Sequence, residues 1–187
     1  MIDLEPGDEL ALGTDGTRTR LTLGLGWDKA RNAGALGTGL PDVDLDASVV
    51  QFSGSQLFDL AFYNNLATRD GSVVHAGDNR SGAGEGDDET ISVDLAKVWH
   101  SVDTLFVLVT SYQGHSLEWI NRAYCRLVDA DAGEEFGQVH LTGGVPETGL
   151  AVARLRRTDR GWVLRALGQG VAATQPARAV NALARLL

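Results

Sequence analysis

The stretch "RLTLGLGW", residues 20–27, places Leu21, Leu23, Leu25 and Trp27 at every second position, with threonine and glycines between them. Successive side chains of a β-strand point to opposite faces, so these four apolar residues share one face. A strand with one apolar face needs a second layer to cover that face. The stretch therefore predicts a half-buried strand in a layered β-protein.

Nine further segments have strand patterns and are separated by short turns rich in Gly, Asp and Asn. They are VDLDASVV (43–50), LAFY (60–63), SVVHA (72–76), TISVDL (90–95), TLFVLVTSY (104–112), AYCRLVD (123–129), FGQVHL (136–141), LAVARLRR (150–157) and GWVLRALG (161–168). The run at 104–112 is the longest apolar one and predicts a central strand that is buried on both faces. Two segments have helical spacing, LEWINRA (117–123) and PARAVNALARLL (176–187). We therefore predict an all-β fold, an antiparallel β-sandwich of about ten strands with a short C-terminal helix.

Length and composition restrict the classes of function. The 187 residues, 43% of them hydrophobic, predict one soluble domain over 1–187. No signal peptide and no apolar run long enough to span a bilayer is present, so a cytoplasmic location is expected. The net charge of −9 argues against nucleic acid as a partner. Cys125 is the only cysteine, which excludes an intrachain disulfide and a cysteine zinc cluster.

The charge is distributed unevenly along the chain. From Leu150 onward seven arginines and one acid give +6, so the preceding residues carry −15. The arginines of the basic segment alternate with apolar residues, which is typical of the solvated face of a strand. Contact between this segment and an acidic partner is the alternative.

Two acidic stretches are candidates for chemistry. In "DVDLDAS" the side chains of Asp42, Asp44 and Asp46 share one strand face, and they repel one another unless solvent or a cation separates them. "HAGDNRSGAGEGDDE", residues 75–89, adds five carboxylates among four glycines. Such oxygen-rich, flexible loops suit calcium better than magnesium, which needs stricter octahedral geometry. The alternative is a solvated acidic surface.

Known calcium motifs do not account for these stretches. "DVDLDA" begins like an EF-hand loop but has Ala47 where that loop needs glycine and Ser53 where it needs glutamate. "AGEGDD" is close to a nonapeptide calcium repeat, yet it occurs once, and that architecture requires stacked copies.

A group of motifs in fixed order resembles the TerD family of tellurium-resistance and stress-response proteins. The motifs are LGLGWD, DVDLDAS, FYNNL, DGSVVHAGDNRSGAGEGDDE, ISVDL, DAGEEF and GWVLRALGQG, and the resemblance is strongest over residues 21–170. It implies a β-sandwich that binds one or two Ca²⁺ ions between acidic loops at one end. The metal ligands that it implies are Asp44, Asp46, Asp78, Asn79, Asp87, Asp88 and Glu89, with Gly82 in the loop and Asn64 and Asn65 as ligands or loop braces.

The family resemblance and the residues favour a non-enzymatic calcium-binding protein that presents a calcium-ordered surface to other proteins of a stress-response complex. The chain has no recognisable nucleophile–base pair, and its histidines are interpreted as turn or surface residues. The alternative is a metal-dependent hydrolase with His75 or Asp28 as the base. Membrane docking through the acidic loops is disfavoured because "GAGEG" offers neither apolar nor basic tips. The sequence does not specify the oligomeric state.

Overall fold

The structure, a computed structural model, describes residues 2–13, 18–28, 44–77, 86–141 and 144–187. These residues form an antiparallel sandwich of two sheets, which confirms the predicted fold class. Their strands are β1 (Glu9–Leu12), β2 (Arg20–Asp28), β3 (Leu45–Ser53), β4 (Gln56–Ala61), β5 (Val73–His75), β6 (Glu89–Asp94), β7 (Thr104–Ser111), β8 (Asn121–Asp129), β9 (Glu134–His140), β10 (Gly149–Thr158) and β11 (Gly161–Val171).

The two sheets divide the strands without following their order along the chain. The six-stranded sheet has the order β1-β11-β10-β7-β3-β4, and the five-stranded sheet has the order β5-β6-β2-β8-β9. Strand β2, the first one predicted, lies at the centre of the five-stranded sheet. Its four alternating apolar residues are all buried in the core between the sheets, as the alternation predicts.

The six-stranded sheet is also covered on its outer face. Helix α1 (Pro176–Leu183) packs there on a second apolar cluster that includes Phe52 and Phe106. With both faces covered, all eight residues of β7 are buried, which confirms the central strand that the sequence predicts. The predicted C-terminal helix is confirmed as well, and a short 3₁₀ turn, Ala184–Leu186, extends it.

The helical prediction for LEWINRA is wrong beyond its first residues. A single 3₁₀ turn, Leu117–Trp119, begins after Ser116, whose hydroxyl accepts the amide of Glu118. The backbone is extended from Ile120, and β8 follows from Asn121. Buried residues then recur at every second position, at 123, 125 and 127, so the strand period overrides the short helical spacing.

The N-terminal segment, residues 2–12, connects the edges of the two sheets. The amide of Leu4 donates to the carbonyl of Gln138 in β9, and the amide of Gln138 donates to Ile2. A few residues later the same segment forms β1, which pairs with β11 and is the edge strand of the other sheet. The sequence analysis did not predict β1, whose four residues are too few to show a period.

Among the described residues, no helix is both long enough and apolar enough to cross a membrane.

Candidate metal site

Strand register brings the described acidic residues of both stretches to one end of the sandwich. Leu45, where β3 begins, pairs with Ser111, where β7 ends. In the other sheet Glu89, where β6 begins, pairs with Leu25 near the end of β2. We call this end the acidic end, and its described acids are Asp44, Asp46, Asp87, Asp88 and Glu89.

Glu89 bridges the two sheets at the acidic end. Its Oε2 accepts the backbone amide of Ala47 in β3 at 2.6 Å. Strand β4 ends at Ala61, which pairs with Val49, so Ala47 lies beyond the last β4 residue. The Glu89 carboxylate accepts the Ala47 amide where a continuing β4 would have paired with it. The other oxygen, Oε1, is buried and has no hydrogen-bond partner among the described residues. Burying a carboxylate oxygen without a hydrogen-bond partner lowers the free energy of unfolding unless a donor or a cation satisfies it.

His75 lies against Glu89, with Nε2 3.6 Å from Oε2, and both side chains are fully buried. The interpretation of His75 as a turn or surface residue is therefore wrong. Its Nδ1 accepts the amide of Gly77 at 3.0 Å, so that nitrogen carries no proton and Nε2 carries one. A histidine enclosed in this way is held as part of the framework.

Asp46 is also buried, with 3% of its surface exposed, so it is not part of a solvated acidic face. It lies on the face of β3 opposite Leu45 and Ala47, which belong to the core between the sheets. Asp44 precedes β3 and is half-buried. Asp42, the third member of the predicted triplet, lies outside the described residues.

Asp87 forms a two-point ion pair with Arg126. Arg126 Nε donates to Oδ1 at 2.6 Å, and Nη2 donates to Oδ2 at 2.7 Å. The side chain of Asp87 is 6% exposed and that of Arg126 is 36% exposed. The hydrogen bonds with Asp87 raise the pKa of Arg126 further above its usual value, although burial acts in the opposite direction. This contact gives Asp87 a structural role, and its role as a metal ligand stays a prediction.

Two glycines of β2 make room for this arrangement. A Cβ atom at Gly24 would lie 2.1 Å from Asp87 Oδ2, and one at Gly26 would lie 2.4 Å from the ring of Tyr124. The Tyr124 hydroxyl donates to the carbonyl of Gly86 at 3.1 Å. The pKa of Tyr124 is raised, mainly by burial and to a smaller extent by the negative charge of Asp87. The sequence analysis missed Arg126 and Tyr124, although a glycine inside a strand often marks such a close approach.

Asp88 continues the pairing of β6 with β2. Its amide donates to the carbonyl of Leu25 at 2.7 Å, and its Oδ2 accepts the amide of Trp27 at 3.0 Å. These bonds fix the backbone immediately before Glu89. Their effect is to hold residues 87–89 in one defined path across the end of β2.

Asn64 and Asn65 lie in a tight turn that has Tyr63 and Asn64 at its centre. The backbones of Phe62 and Asn65 exchange hydrogen bonds of 2.9–3.0 Å, and the Asn65 side chain donates to the carbonyl of Leu60 at 2.6 Å. Asn65 therefore braces the loop, and its role as a metal ligand stays a prediction. The neighbouring Tyr63 packs edge-on against Tyr112, with ring centroids 5.9 Å apart.

The remaining predicted ligands, Asp78 and Asn79, and the loop residue Gly82 lie outside the described residues. Within the described ranges, no three His, Cys, Asp or Glu side chains converge closely enough to hold a metal ion. The described donors are nevertheless carboxylates, which calcium prefers, and Glu89 Oε1 is the buried oxygen that a cation would satisfy. The described part of the site therefore fits calcium, and further ligands would have to come from the rest of the acidic loop.

Asp70, in the DGS motif, lies in a second polar cluster that the sequence analysis did not predict. Its carboxylate accepts from the hydroxyls of Thr68 and Ser72, from the Ser72 amide and from the Trp99 amide at 2.7–3.0 Å. The buried Gln51 of β3 donates to Ser72 Oγ at 2.8 Å. Burial opposes the charged form, but the hydrogen bonds outweigh it and hold the pKa of Asp70 below its usual value.

The other candidates for chemistry are accounted for by packing. Cys125 is buried, and burial with the nearby Asp87 charge raises the pKa of its thiol to about 12, so it is inert at neutral pH. Trp27 and Trp162 are core residues. Trp99 is exposed and packs against His100, with ring centroids 4.9 Å apart and ring planes tilted by 44°.

Comparison with known proteins agrees with the fold and the motifs. The TerD domain family matches residues 1–178. Tellurium resistance protein TerZ of Serratia marcescens is 35% identical over 173 residues, covering 90% of this chain and 89% of that protein. Stress response protein SCP2 of Bacillus subtilis is 35% identical over 184 residues, covering 90% of this chain and 92% of that protein.

A solved structure shares the architecture. The crystal structure of a homologue of telluride resistance protein TerD from Streptomyces coelicolor superimposes with a TM-score of 0.74 at 17% identity. The match covers 90% of this chain and 98% of that one. At this identity the likeness concerns the fold alone.

Proposed function

The chain belongs to the TerD family of tellurium-resistance and stress-response proteins, and on that premise we propose that it is a non-enzymatic cytoplasmic calcium-binding protein. In this proposal one or two Ca²⁺ ions bind at the acidic end and order a surface for other proteins of a stress-response complex.

One observation carries the calcium proposal. Glu89 of β6 accepts the amide of Ala47 in β3, in the other sheet. Its second carboxylate oxygen is buried and has no hydrogen-bond partner in the described residues. Asp46, which is also buried, immediately precedes Ala47, the residue whose backbone amide donates to Glu89. A bound cation would neutralise this buried negative charge, and the loop residues Asp78, Asn79 and Asp88 would supply further oxygens.

Calcium titration of protein passed over chelating resin tests the proposal. Glu89→Gln keeps the size of the side chain but removes its charge, and we expect it to weaken calcium binding at least about tenfold, or about 1.4 kcal/mol. Glu134→Gln, the same change at the exposed first residue of β9 at the opposite end, serves as the control. Equal affinities of the wild type and Glu89→Gln in calorimetry, with both proteins folded by circular dichroism, would refute the site.

A partner surface is supported by the aromatic residues near the acidic end. Tyr112 is 51% exposed and directly follows β7, and it packs against Tyr63 beside the Asn64–Asn65 turn. Tyrosines are enriched where proteins bind one another. Because the loops of this end carry the proposed calcium ligands, partner binding should depend on calcium.

The hydrolase alternative has less support. Of its two candidate bases, His75 is fully buried, and the Nδ1 lone pair that a base would use already accepts the Gly77 amide. The side chain of Asp28 lies outside the part of the chain that the structure describes. Assays of phosphoesters, esters and glycosides with Ca²⁺, Mg²⁺ and Mn²⁺ should give no turnover. Turnover that His75→Ala abolishes in a folded protein would favour the hydrolase instead.

A further inference from the structure

Three arginines share the outer face of the six-stranded sheet. Arg154 of β10 and Arg165 of β11 lie directly opposite each other in the register, and Arg156 lies two residues further on the same face as Arg154. Directly opposed residues have Cβ atoms about 4.5–5.5 Å apart, and like charges at this distance destabilise a sheet. All three lie in the segment from Leu150 onward, which carries a net charge of +6.

A groove lies over these arginines. It has a volume of about 350 Å³ and is bordered by Arg154, Arg165, Pro6, Gly7, Leu167 and Leu186. One wall is therefore cationic and the others are mainly apolar or backbone. The groove is on the face of the sheet away from Glu89 and is built from other strands.

Arg154 is only partly satisfied in this groove. Its Nη1 donates to the carbonyl of Leu186 at 2.6 Å, whereas its Nε is buried and has no hydrogen-bond partner among the described residues. Burial and the charges of Arg156 and Arg165 lower the pKa of Arg154, although Glu9 acts in the opposite direction. Glu9 forms an ion pair with Arg165, with 3.7 Å between the carboxylate oxygen and Nη1, so one carboxylate is paired on a face that carries three arginines. The positive charge on this face is therefore incompletely neutralised.

We propose that this groove binds a small soluble oxyanion ligand, a phosphate or carboxylate group held between Arg154 and Arg165. Guanidinium groups bind such oxygens through charge-assisted hydrogen bonds, often two at a time. The anion relieves the repulsion between the opposed arginines. Pro6, Leu167 and Leu186 provide contacts for a short apolar body, so an organic phosphate binds more tightly than inorganic phosphate.

An NMR titration of resin-treated protein tests this site. Inorganic phosphate and phenyl phosphate are added at constant ionic strength, and the amide shifts of Gly7, Ala166 and Leu186 are followed. We expect saturable shifts with both probes and a lower Kd for phenyl phosphate. Absence of saturable shifts at these amides would overturn the proposal.

Matched variants separate a specific site from general charge attraction. Arg165→Gln, at an exposed residue, should raise the Kd at least about tenfold, equivalent to about 1.4 kcal/mol. Arg160→Gln removes the same charge from the exposed β10–β11 turn and should change the Kd less than about twofold because salt screens distant charges. Glu89→Gln should leave phosphate binding intact, which keeps this test independent of the calcium proposal. Equal effects of Arg165→Gln and Arg160→Gln would overturn the site.

Co-sedimentation with lipid vesicles distinguishes a soluble ligand from a lipid headgroup. Co-sedimentation with phosphatidylglycerol vesicles that Arg165→Gln abolishes, together with no response to either soluble probe, would overturn the proposal in favour of a lipid surface. Saturation by phenyl phosphate without vesicle binding supports it.

Discussion

Asp87 and Arg126 are joined by two parallel hydrogen bonds across the central strand β2, directly over Gly24. The pair links the end of the acidic loop to β8, two strands away from β6 in the five-stranded sheet. It also fixes Asp87 next to Asp88 and Glu89, the two predicted ligands that follow it. The pair therefore connects Asp87, which precedes β6, directly to β8.

Loss of this ion pair should destabilise the protein even without calcium. Arg126→Gln leaves Asp87 largely buried without its cation, and we expect the free energy of unfolding to fall by about 1.5–3 kcal/mol, the range for hydrogen bonds to charged groups. Denaturant unfolding of Arg126→Gln, Asp87→Asn and the double variant in calcium-free buffer measures the coupling. If the effects of the two single changes on the free energy of unfolding are additive, the ion pair contributes nothing to stability.

Gly24 should be intolerant of even one methyl group. In Gly24→Ala the new Cβ overlaps with Asp87 Oδ2, so the carboxylate must leave Arg126 or the strand must shift. We expect a loss of about 1–3 kcal/mol, as for other overpacked sites. Thr22→Ala, two residues earlier on the same face, is the control for side-chain changes on β2. A Gly24→Ala protein as stable as the wild type would show that the loop repacks freely.

Calcium should raise the melting temperature. Saturation at one hundred times Kd stabilises the folded state by about 2.7 kcal/mol if the unfolded chain binds little. For a domain of this size that corresponds to about 5–11 °C, and magnesium at equal concentration should have a much smaller effect. Scanning calorimetry with and without calcium gives the shift. Equal melting temperatures in calcium and in chelator would contradict the proposal.

Asp70 should make stability depend on acid pH. Its folded pKa is lowered, so its contribution is complete above the unfolded value of about 3.9 and disappears as the pH falls through the lower folded value. Asp70→Asn should therefore be less stable than the wild type at pH 7, and the difference should narrow below about pH 4. Denaturant unfolding from pH 7 to pH 2 measures it, with Asp159→Asn in the exposed β10–β11 turn as the control. A constant difference across this range would contradict the linkage.

The sequence predicted the sandwich because a strand buried on one face, such as β2, shows apolar alternation, whereas β7, buried on both faces, shows an unbroken apolar run. It failed for LEWINRA and β1, where too few residues are present for a period to decide between strand and turn. The burial of His75 could not be predicted locally, because Glu89 approaches it from another strand. The same holds for Asp87, whose partner Arg126 follows 39 residues later in the chain.

The path of the N-terminal segment has a consequence for self-association. Exposed sheet edges offer unpaired amides and carbonyls on which further chains can add as strands. Residues 2–4 bond to β9 and β1 bonds to β11, so this one segment covers one edge of each sheet and leaves only the short β1 as the edge on that side of the six-stranded sheet. Detachment of the segment would uncover both edges at once. An intact N-terminal segment is thus a safeguard against aggregation as well as a part of the fold.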